Sequence, residues 1–223
     1  SDFDSIRVYP GTYYERIDFL GKPITLRSID PNDPNRVEST IIDANDLGRV
    51  VTFYSGENAD SILWGFTLTG GKCLNDPNDP DGDSGAGIYC RGASPTIRNC
   101  RIINNYAEQK GGGLYAVQSS PKVVRCIFTE NQAYGSGGGM AVDPNSSPTV
   151  MFSTFAGNTA NSKGGGIYNN VKSVPVVVGC MFSGNWTLYG GGMYNDANSS
   201  PMVVGCTFNG NSALFSGGGM ERS

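Results

Sequence analysis

Short apolar runs recur along this chain between turn residues, and aligning them separates two classes of position. Ile97, Val123, Val150, Val177 and Val203 hold one place that is always branched and apolar. Ile102, Phe128, Phe155, Phe182 and Phe208 hold a second, and between the two lies Cys100, Cys126, Ser153, Cys180 or Cys206. The intervening Arg101, Ile127, Thr154, Met181 and Thr207 vary in polarity, as side chains on the outer face of a strand do. Runs such as Val176-Val177-Val178, bounded by Gly, Pro and Asn, predict brief strands separated by turns. Helices would need apolar spacing near 3.6 over longer uninterrupted stretches, and Gly, Pro and Asn break every such stretch.

The runs are copies of one block. Pro95, Pro121, Pro148, Pro175 and Pro201 are separated by 26, 27, 27 and 26 residues, and Asn105, Asn131, Asn158, Asn185 and Asn211 step by the same intervals. Glycine triplets begin at Gly111, Gly137, Gly164, Gly190 and Gly217, with Gly85-Ala86-Gly87 one period earlier. A unit of this kind buries its apolar face only by stacking on its neighbours. Three short strands and three turns fill about 26 residues, one coil of a β-solenoid with coils about 4.8 Å apart. The register reaches back through Phe66–Gly71 to Thr40–Asn45, and eight extra residues separate Phe66 from Cys100. The expected organisation is one all-β domain of about seven to eight coils over residues 1–223. Residues 1–72 form irregular N-terminal coils, 73–84 an acidic inserted loop and 85–223 the regular repeats.

Composition narrows the chemistry. The 223 residues include no histidine, so the commonest general base and metal ligand are both absent. A net charge of -4 without a basic run argues against nucleic acid, and no window is apolar enough to span a membrane. The chain opens at Ser1 without methionine and stops in a glycine triplet where another copy would begin, which reads as a fragment of a longer protein. Uncapped solenoid ends expose strand edges, so end-to-end self-association is an expectation.

Phe128-Thr129-Glu130-Asn131, Phe155-Ala156-Gly157-Asn158, Phe182-Ser183-Gly184-Asn185 and Phe208-Asn209-Gly210-Asn211, each with its glycine triplet, resemble the repeats of polymorphic outer-membrane proteins. The opening Pro10-Gly11-Thr12-Tyr13-Tyr14-Glu15, followed by Ile24-Thr25-Leu26-Arg27-Ser28, is similar to the first coils of pectate-lyase-like proteins. The resemblance implies a right-handed, single-stranded parallel β-helix. It is uninformative about activity, because that superfamily holds lyases, hydrolases, esterases and inert surface stalks.

The residue columns supply the candidate sites. The asparagine column (Asn105, Asn131, Asn158, Asn185, Asn211) reads as a structural ladder of stacked amides at a tight turn. Tyr89, Tyr115, Tyr168 and Tyr194 follow an inward residue and should point outward, as an aromatic platform for carbohydrate or as a self-stacked ladder; Ala141 breaks the row. Asp76, Asp79, Asp81 and Asp83 in the inserted loop put hard oxygen donors within reach of one Ca²⁺, against a plain solvated turn. The second loop of this composition, Asp30–Arg36, favours the turn reading for both. Cys73 and Cys90 flank the insertion and form the one candidate disulfide. Acids are sparse in the regular coils (Glu108, Glu130, Asp143, Asp196), and Asp43, Asp46, Glu57 and Asp60 with Arg49 are the only local acidic group.

These observations lead to a non-catalytic extracellular or cell-surface scaffold for adhesion or polysaccharide binding, its partner a polysaccharide or another cell-surface molecule, with no cofactor beyond a structural Ca²⁺. The alternatives are a polysaccharide lyase or glycoside hydrolase using the N-terminal carboxylates, and a passive stalk or spacer.

Overall fold

A computed structural model describes residues 4–74 and 82–223. The chain winds as a parallel β-solenoid whose walls are three eight-stranded sheets and one six-stranded sheet. We call these walls faces I to IV. Face I runs from Ser5–Val8 to Met202–Val204, face II from Gly11–Tyr14 to Thr207–Asn209, and face III from Ile17–Asp18 to Met220–Arg222. Face IV runs from Lys72–Cys73 to Ser212–Ser216. Every pairing is parallel and joins equivalent residues of adjacent coils, as in Ile97↔Val123↔Val150↔Val177↔Val203.

Face IV adds a fourth strand to six of the coils, where the residue pattern predicts three. Its early members, such as Tyr106–Ala107 and Gln132–Ala133, are only two residues long. Two residues cannot display a recognisable alternation, so the strand is hidden in what reads as a polar link. A second difference lies in the Asp30–Arg36 segment. It turns and then starts a short helix, Pro34–Ser39, with the Asp33 carboxylate accepting from the Asn35 N–H at 2.9 Å and proline in the first turn. Asp followed by Pro is a helix-start signal. Buried Val37 pins the helix to the solenoid, and its carbonyl accepts from Thr67 Oγ1 at 2.9 Å.

The lumen is filled by stacked columns of like residues. Phe128, Phe155, Phe182 and Phe208 stack with ring centroids 4.6, 5.0 and 4.6 Å apart and planes within 6°. A phenylalanine removed fully from water contributes about 1.5–3 kcal/mol, so this column is a main source of cohesion between coils. Between faces II and IV the asparagines turn the corner. Each Nδ2 donates to the Oδ1 of the next asparagine, at 3.0 Å for Asn105–Asn131 and Asn131–Asn158, 2.9 Å for Asn158–Asn185 and 2.8 Å for Asn185–Asn211. The same oxygens accept backbone N–H groups, so the amides satisfy a buried bend that leaves the sheets. Glycine is needed beyond them for space: a Cβ on Gly139 would stand 2.6 Å from the Gly166 carbonyl oxygen and 2.8 Å from the Phe155 ring.

Candidate functional site

The tyrosine row does point away from the lumen, but it is not a surface. Tyr89, Tyr115, Tyr168 and Tyr194 lie on face III and expose only 3–6% of their area, packed with Ala141 in a small apolar layer of their own. The reason is the glycine triplet. Its first glycine adopts positive φ (Gly85 +71°, Gly190 +68°) and folds the incoming chain across the tyrosines. A Cβ there would meet the Tyr89 or Tyr194 side chain within 3.1 Å. The expected exposed platform is therefore corrected to a covered layer.

Polar side chains complete that cover. Tyr115 Oη donates to Asp143 Oδ2 at 2.5 Å and Tyr168 Oη to Asp196 Oδ2 at 2.7 Å. Lys110 Nζ lies 2.8 Å from Asp143 Oδ2 and Lys163 Nζ 3.2 Å from Asp196 Oδ1. The two clusters repeat the same arrangement. Burial pushes the Tyr168 hydroxyl pKa upward, and its bond to Asp196 adds to the effect. Burial alone would raise the Asp196 carboxyl, but the Tyr168 and Lys163 hydrogen bonds and the lysine charge outweigh it and hold it below the ordinary range. Tyr168 stays protonated and Asp196 ionised, a locked pairing in which the donor is poorly set to give up its proton.

The remaining candidates disperse. Asp76, Asp79 and Asp81 lie outside the described residues. Asp83 is buried and accepts from Ser84 Oγ at 3.2 Å and from Gln109 Nε2. Among the described residues no three acidic or cysteine side chains are grouped to hold a metal ion. Cys73 and Cys90 lie in different layers, Cys73 with Ala86 and Ala107, Cys90 in the lumen, and the expected bridge between them is not formed. Three of the N-terminal acids, Asp43, Glu57 and Asp46, each serve a local contact. Asp43 accepts the Asn45 N–H at 2.8 Å, Glu57 accepts Gly21 and Ser55 N–H groups at 2.8 and 2.9 Å, and Asp46 pairs with Lys72 at 3.5 Å. Asp60 donates its backbone N–H to Asn58 Oδ1 at 2.9 Å.

Exposed aromatics instead gather on face IV, which the residue pattern did not single out. Tyr134 is 62% exposed and Trp186 39%, and on the same face Tyr189 and Phe215 pair with ring centroids 5.1 Å apart. Tyr134 borders a shallow cavity of about 400 Å³ with Gln109, Lys110, Asn161 and Ser162. Its signal was available in the columns: Tyr106, Gln132, Thr159 and Trp186 all follow the asparagine and carry large or polar outward side chains.

A family described as "Right handed beta helix region" matches residues 29–170, more than half of the chain. No curated protein and no solved structure matches.

Proposed function

Because this chain belongs to the right-handed β-helix family, we propose that it is a non-catalytic extracellular or cell-surface scaffold that binds polysaccharide along face IV. The observation that carries the reading is the exposed Tyr134 bordering a cavity lined by the polar residues Gln109, Asn161 and Ser162. The apolar C–H face of a sugar ring packs on an aromatic face, while amides and hydroxyls meet its hydroxyl groups. Trp186 stands two coils from Tyr134, about 9.6 Å along the axis at the strand spacing, which suits an extended polymer better than a small ligand. The engagement of Asp43, Asp46 and Glu57 in local contacts supports the non-catalytic reading over cleavage.

Depletion of the protein by insoluble neutral glycans, with released oligosaccharide measured in the same samples, tests this. Binding that Tyr134→Ala and Trp186→Ala weaken, without product release, is the expected result. Oligosaccharide release would replace the reading with an enzymatic one, and failure to bind any neutral glycan would leave a spacer role.

A further inference from the structure

The eight strands of face I contain no Asp or Glu, although the chain has 20 acidic residues against 16 basic ones. Their outward positions hold Arg7, Arg27, Arg98 and Lys122, and Arg125 occupies the corner that follows. Arg27, Trp64 and Arg98 are in register on three successive coils. The Arg98 guanidinium carbon lies 3.5 Å from the centroid of the Trp64 ring and that of Arg27 lies 5.8 Å from it. None of Arg27, Arg98, Lys122 and Arg125 forms an ion pair among the described residues.

Stacking on an indole immobilises a guanidinium while leaving the edge of its fork open to accept an anion. Buried polar atoms normally find a partner, yet Trp64 Nε1 and Arg98 Nε have none among the described residues. Both residues line a cavity of about 200 Å³ with Asn32, Lys122, Arg125 and Met151. One bank is fixed by Asn99, whose Nδ2 donates to Asn32 Oδ1 at 2.8 Å and to the Pro31 carbonyl at 3.1 Å. The result is a walled groove with cations, an aromatic ring and no carboxylate.

We propose that this groove binds the anionic groups, carboxylate or sulfate ester, of a linear acidic polysaccharide. Cations from Arg27 to Lys122 span three coil rises, about 14 Å, more than one small anion occupies. Trp64, Val124 and Met151 offer an apolar floor to the C–H faces of the sugars between charges. A nucleic-acid duplex fits less well, since it calls for many phosphate contacts and meets a protein of net charge -4. The proposal concerns a different face from the neutral-glycan surface, and each stands without the other.

The test is equilibrium binding of the intact chain to a soluble polyuronate, a sulfated glycan, a neutral glucan, a DNA duplex and vesicles containing phosphatidylglycerol, at low and high salt. Lys122→Gln/Arg125→Gln is the informative variant because both side chains are exposed and the lumen is untouched. We expect binding to at least one acidic glycan, falling with salt and weakened about tenfold or more in the variant at unchanged thermal stability. Which acidic glycan binds identifies the anionic group. The proposal is overturned if neither acidic glycan binds, if the variant binds as well as wild type, or if DNA or vesicles bind as tightly.

Discussion

The Tyr168 hydroxyl donates to the Asp196 carboxylate at 2.7 Å across the gap between one coil and the next. Tyr115 and Asp143 repeat the bond, so these two tyrosines each staple their coil to the following one. Tyr168→Phe keeps the ring in its layer and leaves Asp196 with one donor fewer. The expected loss is about 1–2 kcal/mol in urea denaturation, with glycan binding unchanged. A tyrosine row that served as a sugar platform would give the reverse result.

Acid should loosen this staple. Asp196 has a native pKa below its ordinary carboxylate value, so its contribution is present above about pH 4 and is lost as pH falls through the native value. Thermal midpoints measured between pH 2 and 7 are expected to drop at the acid end for wild type. Asp196→Asn, which cannot titrate, should show a flatter profile in that window and a lower midpoint at neutral pH.

The asparagine ladder makes a sharper demand. Asn158 Oδ1 accepts both the backbone N–H and Nδ2 of Asn131, and its own Nδ2 donates to the Phe128 carbonyl and to Asn185. Asn158→Ala strands several buried groups, each costing about 1–3 kcal/mol. The substitution should cost a large fraction of the stability margin of a domain, about 5–15 kcal/mol. Asn211→Ala, at a half-buried position, should cost clearly less by the same denaturation measurement.

Two glycines separate space from backbone freedom. A Cβ on Gly139 would press on the Gly166 carbonyl and the Phe155 ring, whereas one on Gly184 meets nothing within 4 Å and suffers only from φ +62°. Gly184→Ala should cost about 1–2 kcal/mol. Gly139→Ala should cost more and disturb the near-ultraviolet signal of the aromatic column, because overpacking forces neighbouring coils apart.

Thiol reactivity offers an independent check on the lumen. Burial pushes the Cys180 thiol up to about 11, and Cys73, Cys90, Cys100 and Cys126 are also buried. Only Cys206 is partly open. Alkylation followed by mass spectrometry should label Cys206 quickly in the native protein and the other five only on unfolding. Protection of Cys73 and Cys90 from alkylation in the unfolded, unreduced protein would instead reveal a disulfide between them.

The coil, its length and its inward columns were legible in the chain because near-constant spacing of 26 or 27 residues from Pro95 to Asn211 places like residues above one another, and parallel register follows from that repetition. Val150, Phe155 and Asn158 could be assigned to the interior by comparison with their copies alone. The surface could not. Whether an outward residue meets water depends on what folds across it: the first glycine of each triplet seals Tyr89, Tyr115, Tyr168 and Tyr194, while the short strands of face IV leave Tyr134 and Trp186 open. Likewise Arg27, Trp64 and Arg98 are separated by intervals of unlike length in the irregular coils, and only the winding of the solenoid stacks them. Periodicity determines which side of a strand is inward, because alternation is local. Exposure and the meeting of distant side chains are set by the turns, whose path depends on contacts between coils.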